Sequence, residues 1–288
     1  MENKDFAVFI LTHGRADNVK TISTLNKCGY TGKVYFIVDN EDKSVDQYIA
    51  NFGSDKVIVF DKKAIADTID EGNNFDERKC IIHARNFCFE AAKQVGVKYF
   101  LELDDDYTSF EYRYANKENT KLLGKQVLNL DVIINLHLDF YKATNFKSIA
   151  FAQGGDFIGG VINPTIAKGQ MKRKCINSFF CSTDRPFQFI GAMNEDVNTY
   201  TTLGSRGVLF ATIPFISLNQ AATQSQSGGI TDLYLKYGTY CKSFTTVMMQ
   251  PSSVTVRMMQ SANSRLHHSI KWNNTVPCII SEDYKIKQ

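Results

Sequence analysis

Three adjacent aspartates, Asp104, Asp105 and Asp106, form an uninterrupted acidic triplet in this chain of 288 residues. Neighbouring carboxylates repel one another and raise each other's pKa unless a cation lies among them. A divalent cation with oxygen ligands would remove that cost and would also bind a diphosphate. The triplet therefore predicts a metal site, and the alternative is a solvated turn or the start of a helix.

The elements before the triplet indicate how it is positioned. Apolar segments predict strands at 6–11, 34–38, 57–60 and 99–103, and helices are predicted between them at 16–27, 45–52 and 78–95. This alternation predicts an α/β fold with a mostly parallel sheet flanked by helices. Ligands bind such sheets at the carboxyl ends of the strands. The polar residues that follow the strands are Thr12, His13, Arg15, Asp39 and the three aspartates.

The composition excludes several classes of protein. Hydrophobic residues make up 43% and charged residues 22%, which excludes a disordered chain. No apolar segment approaches the roughly 18–20 residues of a membrane span, and the N-terminus lacks the features of a signal peptide. We therefore expect a cytoplasmic protein. The seven cysteines are odd in number and have no CxxC spacing, so the spacing predicts neither a zinc site nor a disulfide framework.

Two segments carry a resemblance to a known family. Phe9-Ile-Leu-Thr-His-Gly-Arg15 and Tyr99-Phe-Leu-Glu-Leu-Asp-Asp-Asp-Tyr107, with Arg85-Asn86 on the helix before the triplet, resemble the TET/JBP-associated glycosyltransferases. That family has a GT-A-like (Rossmann-like) fold and includes the base J glucosyltransferase and phage enzymes that glycosylate 5-hydroxymethylpyrimidines in DNA. The resemblance implies one domain over 1–288, with a nucleotide-sugar-binding half (1–110) and an acceptor-binding half with an elaborated C-terminal region (111–288).

The resemblance also implies roles on the donor side. Thr12, His13 and Arg15 would contact the nucleotide and its phosphates, and Asp39 would contact uracil or ribose. Arg85 and Asp105 would face the donor, Asp104 would approach ribose or metal, and Asp106 would bind Mn²⁺ or Mg²⁺. Late in the chain, His268 or its neighbour His267 would be a metal ligand and Lys271 would contact the diphosphate. Each has a plainer alternative, such as surface ion pairing for Arg15 or a turn for Asp39.

A second acidic group, Glu195-Asp196, points to the acceptor side. Inverting GT-A enzymes place a carboxylate here at the start of a helix, and the transfer needs one base to take the acceptor's hydroxyl proton. The resemblance implies Asp196 as that base and Glu195 as the residue that orients the acceptor or the sugar. The alternative is an acidic pair favoured by the helix dipole.

Charge is distributed unevenly along the chain. Residues 1–144 hold 19 basic and 23 acidic side chains, whereas residues 145–288 hold 14 and 7. On a DNA-active enzyme, a basic cluster would bind phosphates. Its members are Lys172, Arg173, Lys174 and Arg185, and the alternative is a solvated basic loop.

Together these observations predict a metal-dependent enzyme that moves a sugar from a UDP-sugar to a hydroxyl. The narrow resemblance implies the 5-hydroxymethyl group of a modified pyrimidine, 5-hydroxymethylcytosine, in phage DNA, and hence the host cytoplasm. A glycan, lipid or protein acceptor is the alternative within the same fold, and an inactive nucleic-acid-binding module is the alternative from another class. The transferred sugar, the stereochemistry and the oligomeric state stay open.

Overall fold

The computed structural model describes residues 4–72, 78–220, 238, 240–259, 265–275, 282 and 285. Its first half alternates strands and helices, as the sequence predicts. The elements are β1 (Phe6–Leu11), α1 (Lys20–Lys27), β2 (Lys33–Asp39), α2 (Val45–Phe52), β3 (Val57–Phe60), α3 (Lys62–Ala66), α4 (Ile82–Gln94) and β4 (Tyr99–Asp104).

The second half is less regular in its order of elements. It contains β5 (Tyr107–Ala115), β6 (Leu122–Gln126), α5 (Leu130–Ala143), β7 (Ser148–Ala152), α6 (Pro164–Ala167), β8 (Ser178–Ser182), α7 (Glu195–Ser205) and β9 (Phe210–Gln220). After the undescribed residues 221–237 come α8 (Cys241–Met249), β10 (Val254–Met259), β11 (Arg265–Ile270) and α9 (Trp272–Thr275).

Strands β1 to β9 form one sheet in the order β3-β2-β1-β4-β8-β7-β9-β5-β6. Pairing is parallel from β3 to β4 and between β7 and β9, and it is antiparallel elsewhere. The predicted α/β sheet flanked by helices is confirmed, and its parallel character belongs mainly to the first half. Because β8 runs opposite to both β4 and β7, the strands β1 to β4, β7 and β9 all end at one edge of the sheet.

Apolar side chains cover both faces of this sheet. On one face α1, α2 and α5 contribute Leu25, Tyr48 and Leu138, and on the other α4 and α7 contribute Phe87 and Val197. Strand β1 is buried at all six positions, as predicted for a strand covered on both faces. Within the described residues, no helix is long and apolar enough to cross a membrane.

Some element boundaries differ from the prediction. Helix α1 begins at Lys20 rather than at residue 16, because residues 15–18 form a turn closed by Asn18 N donating to Arg15 O at 2.8 Å. Helix α4 begins at Ile82 rather than at residue 78. Helix α5 was not predicted, because it exposes the apolar Val132 and Leu136 and so lacks a clean amphipathic pattern.

Candidate active site

A cavity of about 520 Å³ lies at the edge where the parallel strands end. This volume is typical of a site for a small molecule. Its wall includes predicted donor residues from three strand ends, namely Thr12, His13, Arg15, Asp39 and Asp104 to Asp106. Gln220, at the end of β9, closes the far side. The rule that ligands bind at carboxyl strand ends therefore locates the cavity correctly.

At one end of the cavity, Asp39 is held by two cationic groups. His13 Nδ1 lies 2.7 Å from Asp39 Oδ2, and Lys62 Nζ lies 3.3 Å from Asp39 Oδ1. The hydrogen bond to Asp39 raises the pKa of His13 above its ordinary value. Burial pushes the pKa of Asp39 upward, but the bond to His13 and the charge of Lys62 leave it below its ordinary value. Asp39 is therefore an ionised carboxylate with both oxygens engaged.

Asp105, the middle aspartate of the triplet, has its hydrogen-bond partners within the protein. Asp105 is buried, and its carboxylate accepts hydrogen bonds from Thr12 Oγ1 at 2.8 Å and from Arg15 Nη1 at 2.7 Å. Tyr48 closes this network, since its hydroxyl accepts from Arg15 N at 2.8 Å. Asp105 thus ties the end of β1 to the end of β4 and fixes the shape of the cavity.

Arg85 on α4 joins carboxylates from both halves of the chain. Its guanidinium is fully buried, and it donates from Nη2 to Asp104 Oδ1 at 2.9 Å and from Nε to Glu195 Oε1 at 3.0 Å. Its third nitrogen, Nη1, lies 3.5 Å from Glu102 Oε2. The ring of Phe179 packs against the guanidinium at 4.9 Å. One side chain therefore brings the acidic triplet and the Glu195-Asp196 pair to the same place.

Carboxyl groups at this point outnumber the single cation that pairs with them, Arg85. Burial raises the pKa of Glu102 to about 8 and that of Asp104 to about 7, and burial with the charge of Asp105 raises the pKa of Asp106. Asp104 and Asp106 nevertheless line the cavity and offer carboxylate oxygens, the ligands that Mg²⁺ and Mn²⁺ prefer. The residues present therefore fit a hard divalent cation.

The acceptor-side pair begins a helix, as predicted. Glu195 and Asp196 are the first residues of α7, and Asp196 is largely buried, with Oδ1 accepting from Val197 N at 2.7 Å. Burial and the charge of Glu195 raise the pKa of Asp196 above its ordinary value. A carboxylate of this kind can hold a proton near neutral pH.

Asn194 connects this helix to the C-terminal elements. It has left-handed backbone angles (φ 54°), which are uncommon outside glycine. Its Nδ2 lies 3.0 Å from Lys242 O, 3.0 Å from Thr246 Oγ1 and 3.3 Å from His268 Nδ1. Burial lowers the pKa of His268 to about 3, so the imidazole is neutral.

The two late residues, His268 and Lys271, are not among the residues of the cavity wall. Within the described residues, one group of three His, Cys, Asp or Glu side chains has its ligand atoms within 4.8 Å of one another. Its members are Glu71, Cys80 and His83, so His268 does not belong to it. Lys271 follows β11, is exposed and is not part of the cavity wall. Metal binding by His268 and diphosphate binding by Lys271 stay predictions.

The predicted DNA-binding cluster has mostly internal partners. Lys172 Nζ and Lys174 Nζ lie 3.3 Å and 2.5 Å from Oδ1 of the buried Asp156. Arg185 Nη1 donates to two backbone carbonyls, Tyr141 O and Phe146 O, both at 3.0 Å. Contact with phosphate thus stays a prediction for all four. Arg173 is the one that is exposed and has no ion pair among the described residues.

Glu102 and Lys62 are among the residues of the site that the sequence did not predict. Glu102 is a buried carboxylate within the apolar segment 99–103, and a charged residue inside such a segment indicates a buried cationic partner such as Arg85. Lys62 follows the third strand as Asp39 follows the second, but its side chain reaches Asp39 only because β2 and β3 are neighbours.

Comparison with known proteins agrees with this geometry. The sequence profile of the TET-associated glycosyltransferases matches residues 6–229. The chain belongs to this family. The match spans the cavity, the acidic triplet and the Glu195-Asp196 pair of the glycosyltransferase, whereas His268 and Lys271 lie beyond it. No curated protein matches the chain in sequence.

Solved structures similar to this glycosyltransferase are distant ones. Glucosyl-3-phosphoglycerate synthase from Mycobacterium tuberculosis, with Mg²⁺ and UDP, is 10% identical, with 93% of this chain and 88% of that chain covered and a TM-score of 0.45. The mannosyltransferase from Pyrobaculum calidifontis, with GDP-Man and Mn²⁺, is 10% identical, with 85% and 73% covered and a TM-score of 0.47. At this similarity neither carries an argument about substrate, and membership of the family rests on the sequence profile.

Proposed function

We propose that this glycosyltransferase moves a sugar from a UDP-sugar to the 5-hydroxymethyl group of a pyrimidine in phage DNA, with 5-hydroxymethylcytosine as the acceptor base, in the host cytoplasm. The observation that carries the proposal is the position of Arg85 between Asp104 and Glu195. A group-transfer enzyme must hold its donor and its acceptor within bonding distance. Arg85 holds a donor-side carboxylate and an acceptor-side carboxylate on one guanidinium.

The donor half, residues 1–110, would bind the nucleotide in the cavity. Asp39 with His13 and Lys62 would face the base or ribose, and Arg15 would face the phosphates. Asp104 and Asp106 would hold Mn²⁺ or Mg²⁺, and the fit rests on two carboxyl groups that line the same cavity. When bound, such an ion neutralises charge on the leaving diphosphate.

The acceptor half, residues 111–288, would supply the base. Asp196 would take the proton of the acceptor hydroxyl while that oxygen bonds to the anomeric carbon and the bond from this carbon to the UDP oxygen breaks. The raised pKa of Asp196 suits this role, because a base whose conjugate acid titrates near the working pH transfers protons efficiently. Glu195, fixed by Arg85, would orient the acceptor or the sugar. This assignment describes an inverting transfer.

The test is incubation of the protein with a panel of UDP-sugars, Mn²⁺ and duplex DNA that contains 5-hydroxymethylcytosine, followed by digestion and mass spectrometry of the nucleosides. We expect a nucleoside heavier by one sugar, which is absent with unmodified DNA and with Asp106→Asn. UDP release without a modified nucleoside would retain the enzyme but reject the DNA acceptor, which favours a glycan, lipid or protein instead. Absence of both UDP binding and UDP release would reject the enzyme and favour a binding module.

A further inference from the structure

A second group of ligand-type side chains lies in the wall of the cavity, apart from the acidic triplet. Glu71, Cys80 and His83 place their ligand atoms within 4.8 Å of one another. His83 Nε2 lies 2.6 Å from Glu71 Oε1, and His83 Nδ1 lies 3.7 Å from Cys80 Sγ. Cys80 and His83 both line the cavity. The mechanism proposed above uses none of the three.

Backbone structure holds these side chains in place. His83 is fully buried in the first turn of α4, three residues after Cys80. The segment that carries Glu71 is bonded to the loop before α7, since Gly191 N donates to Asp70 O at 2.8 Å and Ala192 N donates to Glu71 O at 2.7 Å. The backbone therefore holds the two segments that carry this group together.

The distances match the requirements of zinc. With Zn–S and Zn–N lengths of about 2.3 and 2.0 Å, a tetrahedral ion separates its sulfur and nitrogen ligands by about 3.5 Å. The separation between Cys80 Sγ and His83 Nδ1 is 3.7 Å. Glu71, on the other ring nitrogen, is the carboxylate that typically fixes a zinc-bound histidine in orientation. A thiolate and an imidazole favour Zn²⁺ over Mg²⁺ or Mn²⁺.

We infer that Cys80 Sγ and His83 Nδ1 bind a zinc ion at the wall of the donor cavity, with Glu71 orienting His83. This site is distinct from the Mg²⁺ or Mn²⁺ site of Asp104 and Asp106. On binding, Cys80 loses its thiol proton to solvent, and His83 Nδ1 loses any proton it carries and exchanges its contact with Cys80 O, now at 3.2 Å, for the ion. Because Cys80 and His83 line the cavity, water or an oxygen of a bound nucleotide would complete the coordination of such an ion.

The direct test uses Co²⁺ as a spectroscopic substitute for zinc in the full-length chain. We expect a thiolate-to-cobalt charge-transfer band in the near ultraviolet that disappears when Zn²⁺ is added in excess. Cys80→Ser should abolish the band, and Cys241→Ser, which removes another partly exposed cysteine, should leave it intact. Glu71→Gln should retain the band but weaken the affinity about 10- to 100-fold. A wild-type protein with no such band, or a band that survives in Cys80→Ser, would overturn the inference.

A second measurement needs no variant at the site. Alkylation by iodoacetamide, mapped by mass spectrometry, should show Cys80 protected by Zn²⁺ and Cys241 not protected. Equal labelling of Cys80 with and without Zn²⁺ would contradict the site. Asp106→Asn should lose sugar transfer and keep the cobalt band, so that failure of the proposed function and failure of the zinc site are separately visible.

Discussion

The acidic triplet and the basic segment 172–185 are clusters of opposite charge, and their side chains differ in the partners they have in the folded chain. In the basic segment, Lys172 and Lys174 pair with Asp156, and Arg185 binds two backbone carbonyls. In the acidic cluster, one cation, Arg85, faces the three carboxyl groups of Glu102, Asp104 and Glu195. In the first cluster most of the cations have partners within the protein, whereas in the second the carboxyl groups outnumber their cation.

This difference separates a structural cluster from a functional one. Buried charges cost free energy unless they are paired, so buried carboxyl groups that outnumber their cations point to a role in binding a cation or substrate. Density of charge along the sequence does not distinguish the two cases. What distinguishes them is how many charged side chains lack an oppositely charged partner in the folded chain.

The largest expected effect tests the acceptor side of the acidic cluster. Asp196→Asn should reduce sugar transfer about 1,000-fold, because general-base catalysis typically contributes about 10²- to 10⁴-fold. UDP binding with Mn²⁺, measured by calorimetry, should be unchanged, since the base acts on the acceptor in the transition state. A loss of UDP affinity that parallels the loss of rate would move Asp196 from the base role to donor binding.

The donor side of the cluster should depend on the cation. Asp106→Asn removes one ligand charge and should lower transfer at least about 100-fold while the fold survives. Asp67→Asn is a matched control, because Asp67 is an exposed carboxylate that pairs with Lys63 on α3. Full activity of the wild type in EDTA would exclude the metal.

Binding of this cation should also be visible in how the stability of the folded chain depends on pH. In the folded chain the pKa of Asp104 is raised to about 7 and that of Asp106 is also raised, so protonation stabilises the ion-free fold at low pH and this stability is lost as pH rises through those values. A cation favours the ionised form and binds more tightly as pH rises. Mn²⁺ should therefore raise the melting temperature more at pH 8 than at pH 5. An equal shift at both pH values would contradict binding by these carboxylates.

The basic cluster should instead respond to mutation through stability. The double variant Lys172→Ala and Lys174→Ala leaves Asp156, which is 1% exposed, without a cation. We expect a loss of about 2–4 kcal/mol in the free energy of unfolding in urea, toward the low end because both lysines are partly exposed. Adding Asp156→Asn should restore most of it. A variant as stable as the wild type would show that the pairs are surface contacts.

The same contrast shows how far the sequence predicts the site. Thr12, His13, Asp39 and the triplet were predictable, because each follows an apolar strand and parallel strands end at one edge. The pairing of Arg85 with Glu195 joins residues 110 positions apart, and that of Lys174 with Asp156 depends on a turn whose course the sequence does not specify. Each strand can be recognised from the residues of its own segment. The pairing of charges between distant segments depends on the tertiary structure.

The smallest expected effect concerns Arg173, the one member of the basic cluster with an exposed side chain and no ion pair among the described residues. If the acceptor is DNA and Arg173 contacts one phosphate, Arg173→Ala should flatten the slope of log affinity against log salt by about 0.9. The free energy of unfolding should not change, in contrast to the lysine variant. Lys56→Ala is the matched control, since Lys56 is equally exposed but precedes β3, at the edge of the sheet opposite the cavity. Equal slopes for the Arg173 variant and the wild type would assign Arg173 to a solvated loop, and a change in the Lys56 variant would show that the slope reports net charge rather than a contact.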